Sequence, residues 1–376
     1  MTETTRPSWL RPSLDWLLVF VPVALAIRYV PGWRHDTALF VVSALALIPI
    51  AGWMGHATEQ LAHRMGEGVG GLLNASFGNA AELIIALIAL RAGKIEVVKA
   101  SITGSIIGNL LLVLGVSVFA GGLRHRSQHF NKTGARAGCT ALILASAALV
   151  IPSVFHHTAA QHPGGWTPLA EQRLSFAIAL ILLATYGAIL VFSLVTHKQL
   201  FAGGAADEEH DSTEQPWSVG RAVGVLLVAT LGVAWLSEFL VGAVEAAQHS
   251  LGVTETFVGV IIVAIVGNAA EHSTAVTMAL KNKMDLALGI AVGSSLQIAL
   301  FVAPVLVFAS YAFAHQLNLE FTIPEIVAVV VAAFVTDQIA GDGESNWLEG
   351  VQLLSLYAII GVLFYFLPGA EPAVAH

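Results

Sequence analysis

Long apolar segments alternate with short charged or Gly/Pro-containing stretches along almost the whole chain. A helix needs about 20 mostly apolar residues to cross the hydrocarbon core of a bilayer, and segments of that length recur about eleven times. The predicted helices cover residues 15–31, 37–56, 68–91, 95–122, 136–155, 172–196, 217–246, 256–280, 284–312, 323–340 and 348–367. The pattern therefore predicts an all-α polytopic membrane protein with about eleven transmembrane helices.

The composition supports this class and excludes several others. Of the 376 residues, 56% are hydrophobic and 11% are charged, whereas about a quarter of a soluble domain is charged. A single cysteine, Cys139, excludes an internal disulfide framework and a thiolate metal cluster. The net charge of −8 argues against binding of nucleic acid, which needs clustered Lys and Arg. Transport across the bilayer and chemistry inside it remain as possible functions. No cofactor is expected.

The basic residues predict the orientation. The first apolar segment follows Arg6 and Arg11, as a signal peptide would, but Arg28 interrupts it, so we expect it to remain as a leading membrane helix. A cytoplasmic N-terminus leaves eleven Lys and Arg residues inside and six outside. This excess follows the positive-inside tendency.

An internal repeat is the strongest organisational signal. The five residues Gly78–Glu82 recur unchanged as Gly267–Glu271, and the same offset places Gly104-Ser105 onto Gly293-Ser294. Five predicted crossings separate the two copies, so the second half should run through the membrane in the opposite sense. Inverted repeats of this kind are typical of secondary transporters, which bind substrate near the midplane where the repeats meet.

The repeat predicts four parts of the chain. They are an N-terminal tail with the leading helix (1–33), a first five-helix repeat (34–200), an acidic cytoplasmic loop (201–216) and a second five-helix repeat (217–376). The loop contains an acidic run between Asp207 and Glu214 that could attract cations or regulate transport. Such a run is more often a solvated linker, and both interpretations stay open.

Two glutamates carry the candidate chemistry. We expect Glu82 and Glu271 each near the middle of an otherwise apolar helix, where an ionisable side chain costs at least about 2.5 kcal/mol. Each of them needs a cation or a proton. A structural role in a hydrogen bond between helices would explain one such residue more easily than a matched pair.

Neutral oxygen groups accompany both carboxylates. Asn79 and Asn268 come three positions earlier, which in a helix places amide and carboxylate on one face. Gly78 and Gly267 lack side chains, so a helix or an ion can approach the backbone and its carbonyl oxygens. The helix after each motif adds, at similar depth, Ser105 and Asn109 in the first half and Ser294, Ser295 and Gln297 in the second.

This ligand set predicts the transported ions. Ca²⁺ takes six to eight oxygen ligands in flexible geometry, whereas softer metals prefer thiolate or imidazole, so Ca²⁺ is favoured and Mn²⁺ stays open. Burial and mutual repulsion both favour the protonated form of a carboxyl group. Protons and Ca²⁺ should therefore compete for one metal site at Glu82 and Glu271, and this competition is the physical requirement for exchange.

Both motifs resemble the signatures of the calcium/proton exchanger family of the cation/calcium exchanger superfamily, and its bacterial members most. The first signature is Gly71–Glu82 with Gly104–Asn109, and the second is Gly267–His272 with Gly293–Gln297. The resemblance implies one leading helix plus two inverted five-helix halves in a bacterial cytoplasmic membrane. It also implies that Glu82 and Glu271 bind Ca²⁺ and exchange protons, with the asparagines and glycines beside them completing the site.

Three further residues are expected as modulators. His272 is typical of proton-coupled members of that family, although on its own it could simply hydrogen-bond to a neighbouring helix. Glu59 and Glu245 lie on extended polar helix faces that could line cation pathways or form amphipathic turns at the interface.

Other functions fit these sequence features less well. Sodium/calcium exchange on the same architecture would need further monovalent-ion ligands. A membrane-embedded metallohydrolase would need a pattern such as His-Glu-x-x-His on one helix, which His56 and Glu59 do not make. A passive channel would use acidic rings around an oligomeric pore, so the inverted halves of one chain favour a transporter. The sequence leaves an oligomer open.

Overall fold

The structure is a computed structural model, and it describes residues 13–159, 167–197 and 217–368. The start of the N-terminal tail and the whole acidic loop 201–216 lie outside the described residues. The helices are α1 (Phe20–Tyr29), α2 (Asp36–Phe77), α3 (Ala80–Arg91), α4 (Ile95–Ile107), α5 (Leu114–Arg124), α6 (Lys132–Ala159), α7 (Pro168–Val191), α8 (Val219–Gly242), α9 (Val244–Leu251), α10 (Glu255–Phe257), α11 (Ala264–Leu280), α12 (Met284–Gln297), α13 (Ala303–Ser310), α14 (Ile323–Ala340) and α15 (Trp347–Phe366).

Short non-α turns join several of these helices. A 3₁₀ turn, Leu14–Val19, precedes α1, and π-helical turns occupy Gly108–Val113, Phe192–Thr196, Val258–Val263 and Ile298–Val302. A two-residue antiparallel ladder pairs β1 (Gln128–His129) with β2 (Glu344–Ser345), and so ties a loop of the first half to a loop of the second.

Eight helices of the described part are long and apolar enough to cross a membrane, or up to nine if a bent pair counts as one span. The all-α polytopic class is therefore confirmed, while the count of eleven remains a prediction. The predicted first, third and eighth helices are the ones that fall short. They correspond to Leu14–Tyr29, to the part of the chain around α3, and to the part around α11. All three are short or interrupted.

Helix α2 changes direction although Asp36–Phe77 is one uninterrupted run of helical residues. A Cβ added to Gly70 would overlap the carbonyl oxygen of Ala62. In a straight helix, residues eight positions apart are separated by about 12 Å, so the chain must fold back between these two residues. The span Asp36–Met65 therefore ends there, and Gly70–Phe77 forms a returning arm that leads into α3.

The second half makes the corresponding change of direction with a visible break. The axes of α9 and the following helix differ by 110° across a break between Leu251 and Glu255. Gly252 ends α9 in the left-handed conformation, with φ 66°, which costs glycine little. The segment Glu255–Val263 then leads into α11 as the arm of the second half.

The turns that follow are alike in the two halves. Gly93 joins α3 to α4 with φ 76°, and Asn282, at the equivalent position between α11 and α12, has φ 62°. Asparagine is among the few residues besides glycine that occupy this region readily. Each half thus joins the helix of its Glu82 or Glu271 to the following helix through the same left-handed turn.

Hydrogen bonds define the two ends of the bundle. At one end, Thr37 bonds to Ser250 at 2.7 Å and Arg91 to Glu238 at 3.5 Å. At the opposite end of the antiparallel helices α2 and α8, Arg64 donates to the carbonyl oxygen of Trp217 at 3.1 Å. We call these the Lys94 end and the Arg64 end, because Lys94 lies in the turn after Arg91.

Candidate ion-binding site

The first copy of the repeated motif lies at a break between helices. Helix α2 ends at Phe77, and Asn79 precedes α3 with φ −99° and ψ 30°, outside the helical region. Glu82 therefore occupies the first turn of α3 and not the middle of a helix, so that part of the prediction was wrong. The broken backbone suits a carboxylate, since the free N–H groups of a helix N-terminus favour negative charge.

The second copy lies inside a continuous helix, as predicted. Gly267 and Asn268 belong to α11, and Glu271 follows near the centre of that helix. The Asn268 amide donates to the carbonyl oxygen of Ala264 at 2.9 Å, one turn earlier. Identical sequences thus take two backbone conformations, because one follows a reversed arm and the other a π-helical turn.

Each motif glycine accepts a side chain from the opposite half. A Cβ on Gly267 would lie 3.1 Å from Cγ and 3.4 Å from Oε1 of Glu82. A Cβ on Gly78 would lie 3.1 Å from Oε1 of Gln297. The predicted close approach is therefore made by a carboxylate and an amide of the other half, each packed against a bare backbone.

The polar residues of the two motifs form one hydrogen-bonded ladder in which every step crosses between the halves. Asn79 Nδ2 donates to Gln297 Oε1 at 2.6 Å, and Ser294 Oγ donates to Asn79 Oδ1 at 2.8 Å. Asn109 Nδ2 donates to Ser294 Oγ at 2.9 Å and to Asn268 Oδ1 at 3.2 Å.

The ladder ends at Asn268, whose Nδ2 donates to Ser105 Oγ at 3.1 Å. Apart from half-buried Gln297, its members are at most 4% exposed. Buried polar groups that satisfy one another in this way hold their positions firmly, because an unpaired group would be costly. The two halves are therefore joined at their centre by amides and hydroxyls.

The two carboxylates lie beside this ladder. Glu82 packs against the backbone of Gly267, which lies one helical turn before Glu271, so the two carboxylates are close enough to repel each other. Among the described residues, Glu271 Oε2 and Asn109 Oδ1 are buried oxygens with no hydrogen-bond partner. The site thus offers two carboxylates and unused oxygen atoms, which is the donor chemistry of a hard cation.

No group of three or more His, Cys, Asp or Glu residues that could hold a metal occurs in the described ranges. A cation here would therefore depend on the carboxylate pair together with neutral oxygens. Asn109 reaches the centre from a π-helical turn, Gly108–Val113, and such wide turns are frequent at functional sites.

The expected modulators lie at different distances from the centre. His272 follows Glu271, and its Nε2 is buried with no hydrogen-bond partner in the described part. Glu59 pairs with His56 at 3.7 Å, and its charge reaches Glu271. Glu245 instead lies in α9, where it pairs with Lys94 at the bundle end.

Packing beside the site differs between the halves, which sequence reasoning missed. We call the contact between α4 and the arm Glu255–Val263 the closed seam. There, a Cβ on Gly104 would lie 2.5 Å from Val260 Cα, and one on Gly259 would lie 2.5 Å from Ala100 Cβ. Backbone meets backbone between α4 and the arm Glu255–Val263. The small residues Gly104 and Gly259 are a signal that could have indicated this approach.

The equivalent contact of the other half, between α12 and the arm Gly70–Phe77, is loose, and we call it the open seam. Gly289 and Gly293 of α12 correspond to Ala100 and Gly104, and a Cβ on either would meet nothing within 4 Å. The arm Gly70–Phe77 leans elsewhere: a Cβ on Gly71 would lie 2.6 Å from Leu194 Cδ2. This arm starts at the Arg64 end, so the contact that begins at that end is the looser of the two, and the contact that begins at the Lys94 end is the tighter.

Comparison with known proteins gives consistent matches over nearly the whole chain. The family model described as sodium/calcium exchanger protein matches residues 35–195 and 221–366. A Ca²⁺/H⁺ antiporter of Synechocystis sp. is 47% identical over 365 residues, which cover 94% of this chain and 96% of that protein. The Ca²⁺/H⁺ antiporter ChaA of Bacillus subtilis is 48% identical, covering 93% and 98%. The solved structure of native YfkE is 42% identical, with a TM-score of 0.81 and coverage of 94% and 100%.

Proposed function

The chain belongs to the sodium/calcium exchanger protein family, and from that premise we propose that it is a secondary antiporter exchanging Ca²⁺ for H⁺ across a membrane. It is a transporter and not an enzyme, and Ca²⁺ and H⁺ are its substrates. The observation that carries the proposal is the packing of Glu82 from the first half against Gly267, one turn before Glu271 of the second half, beside one polar ladder.

Glu82 and Glu271 are proposed as the carboxylates that bind Ca²⁺ and exchange protons. Two carboxylates held close together repel, so the empty site gains free energy by taking up either a divalent cation or protons. The two ligands exclude one another because each neutralises the same negative charge. A carrier that changes sides with either load, and not when empty, exchanges the two.

The remaining motif residues are proposed as supports of this pair. The ladder orients the amide and hydroxyl oxygens of Asn79, Ser105, Asn109, Asn268, Ser294 and Gln297 around the carboxylates. Gly78 and Gly267 admit Gln297 and Glu82 between the halves. His272 and Glu59 are proposed as modulators because they adjoin Glu271, one in sequence and the other through its charge.

The open and closed seams support alternating access. The seam of α4 is packed and that of α12 is loose, and this difference supports entry of ions towards the carboxylates from the Arg64 end. Rocking of the halves that opens the first seam and closes the second would present the same site to the other side. The shared ladder lies at the pivot of that motion.

The finer location is also a proposal. The protein is an integral membrane protein, and we place it in the bacterial cytoplasmic membrane with its N-terminus inside. The distribution of basic residues supports this orientation, which makes the Arg64 end cytoplasmic. The division into 1–33, 34–200, 201–216 and 217–376 is supported by the matching turns at Gly93 and Asn282.

Transport by purified protein in liposomes tests the function. An imposed pH gradient, acidic on the inside, is expected to drive ⁴⁵Ca²⁺ uptake, because protons leaving down their gradient return the site for another Ca²⁺. A sodium gradient of the same size is the control and is expected to drive little uptake. Uptake driven by sodium alone would contradict proton coupling, and no uptake with either gradient would contradict the transport assignment.

A further inference from the structure

A cluster of three charged residues lies at the outer limit of the closed seam. Lys94 precedes the first residue of α4, and its ammonium group pairs with Glu245 of α9 and, at 3.4 Å, with Glu255 of α10. The Lys94 side chain is only 20% exposed. One cation of the first half therefore holds two anions of the second.

The two glutamates flank the break that produces the 110° bend of the second half. Glu245 lies before Gly252, and Glu255 is the first residue of the arm after it. By contacting both, Lys94 fixes the direction in which the arm leaves the break. The same arm packs on α4 through Gly259 and Val260, so the ion pairs and the glycine contacts form one continuous seam.

The opposite seam has no equivalent of this cluster in its sequence. The repeat places Lys283 at the position of Lys94, but it places His56 at the position of Glu245 and Gly66 at that of Glu255. The lysine is repeated and its two acidic partners are not. The two contacts of Lys94 therefore have no counterpart at the matching positions of the other half.

We propose that Lys94 is a positioning residue that latches the closed seam at the Lys94 end, and so biases the exchanger towards the state open at the Arg64 end. The proposal rests on the proposed function only in taking the two seams to open alternately. Opening at the Lys94 end must separate α4 from the arm and break the contact with Glu255. The free energy of that contact then sets part of the equilibrium between the two states.

The electrostatics of the cluster support this role. Burial opposes the charge of Lys94, but the hydrogen bond with Glu245 and the charges of Glu255 and Glu245 outweigh it and raise the pKa of the ammonium group. A single exposed ion pair contributes little. Glu245 is 70% exposed, so its contact with Lys94 is screened, whereas Glu255 is 34% exposed and its contact is screened less. Loss of the Lys94 charge leaves two like charges close together.

Cysteine accessibility in nanodiscs tests the latch without requiring transport. The chain has one cysteine, Cys139, which is fully buried and can be replaced by alanine. A Val97→Cys reporter lies in the closed seam, where Val97 is 2% exposed, and a Gly289→Cys reporter lies in the open seam. Labelling with a polar maleimide measures how often each seam is open.

Lys94→Gln is expected to raise the labelling rate of the Val97→Cys reporter about fivefold, without raising that of the Gly289→Cys reporter. Lys94→Arg keeps the charge and should label at the original rate. Arg91→Gln, which removes an exposed pair with Glu238 off the seam, is the matched control and should stay within about twofold.

The latch would be overturned by an unchanged labelling rate at position 97, by equal increases at both reporters, or by an equal effect of Arg91→Gln. Equal increases would indicate general loosening of the fold. Labelling fast in Lys94→Arg would equally contradict a role of the charge. If wild-type liposomes show no proton-driven Ca²⁺ uptake while labelling shifts as expected, the proposed function fails and the latch stands.

Discussion

The two halves of the molecule carry the same motif and use it differently. In the first half, Gly78-Asn79 is a break between helices, whereas in the second, Gly267-Asn268 continues within α11. The direction changes differ as well, since α2 folds back within one run of helical residues and the second half bends at a break around Gly252. One sequence pattern thus supports two conformations, as is required if the two halves are to exchange conformations during alternating access.

The comparison teaches where symmetry is kept and where it is lost. It is kept at the centre, where every step of the ladder joins one half to the other. It is lost at the periphery, where the Gly104 seam is packed and the Gly293 seam is open. A shared centre with unequal surroundings is the arrangement expected of one site that faces one side at a time.

The largest effects on transport should come from substitutions of the two carboxylates. The carboxylate of each half should be equally necessary. Glu82→Gln and Glu271→Gln each leave one carboxylate that cannot balance a divalent cation, so proton-driven Ca²⁺ uptake should fall at least about a hundredfold in either variant. Glu238→Gln, which removes an exposed acid of α8, is the control and should keep most activity. A tenfold difference between the two central variants would show that the halves do not share one site.

Substitutions of the seam glycines should affect thermal stability differently in the two halves. Gly104→Ala forces a methyl group against the Val260 backbone and should destabilise this state by about 1–3 kcal/mol, seen as a lower midpoint of thermal unfolding in detergent. Gly293→Ala meets no neighbour here and should leave the midpoint unchanged, while slowing uptake because its seam must close in the other state. Equal midpoints for both variants would contradict the assignment of open and closed seams.

The loss of stability should depend on which residue of the ladder is replaced. Asn109→Ala removes two buried hydrogen bonds between the halves and should cost about 1–3 kcal/mol of stability. Gln297→Ala removes one bond from a half-buried residue and should cost about 0.5–1.5 kcal/mol. Thermal unfolding of both variants measures the difference, and a larger loss for Gln297→Ala would move the centre of the ladder away from Asn109.

The smallest effect is expected at His272, which follows the second glutamate where Leu83 follows the first. His272→Leu makes the two copies more alike and removes a ring nitrogen that has no hydrogen-bond partner in the described part. Proton-driven uptake should change by less than about fivefold, with sodium still ineffective. Uptake driven by sodium in this variant would assign the choice of coupling ion to His272.

Much of the fold followed from the hydrophobic pattern. The segment 323–340 coincides with α14, and the ends of 95–122 and 348–367 differ from the observed spans by at most two residues. Apolar length decides these helices, so composition alone predicts them. The helix around Glu82 was misjudged because a break at Gly78-Asn79 depends on the approach of Gln297 from the other half, and no local pattern shows that contact.

The candidate site was predictable as a set of residues but not as a geometry. Repetition identified the glutamates, asparagines and serines, and the structure brings these residues together. Tertiary packing decides that the hydrogen bonds of the ladder run between the halves. It also places Glu82 against the backbone of Gly267. The inequality of the seams could not be predicted from the repeated residues, because nearly identical motifs line both.

Calcium binding as a function of pH tests the central claim most directly, namely that protons and Ca²⁺ compete for Glu82 and Glu271. Titration of purified protein with Ca²⁺ should show weaker binding as the pH falls, since protons then occupy the carboxylates, and each Ca²⁺ bound should release protons into the buffer. In Glu271→Gln, fewer protons should be released and binding should be weaker. Calcium affinity that is independent of pH, with no proton release, would contradict a shared site.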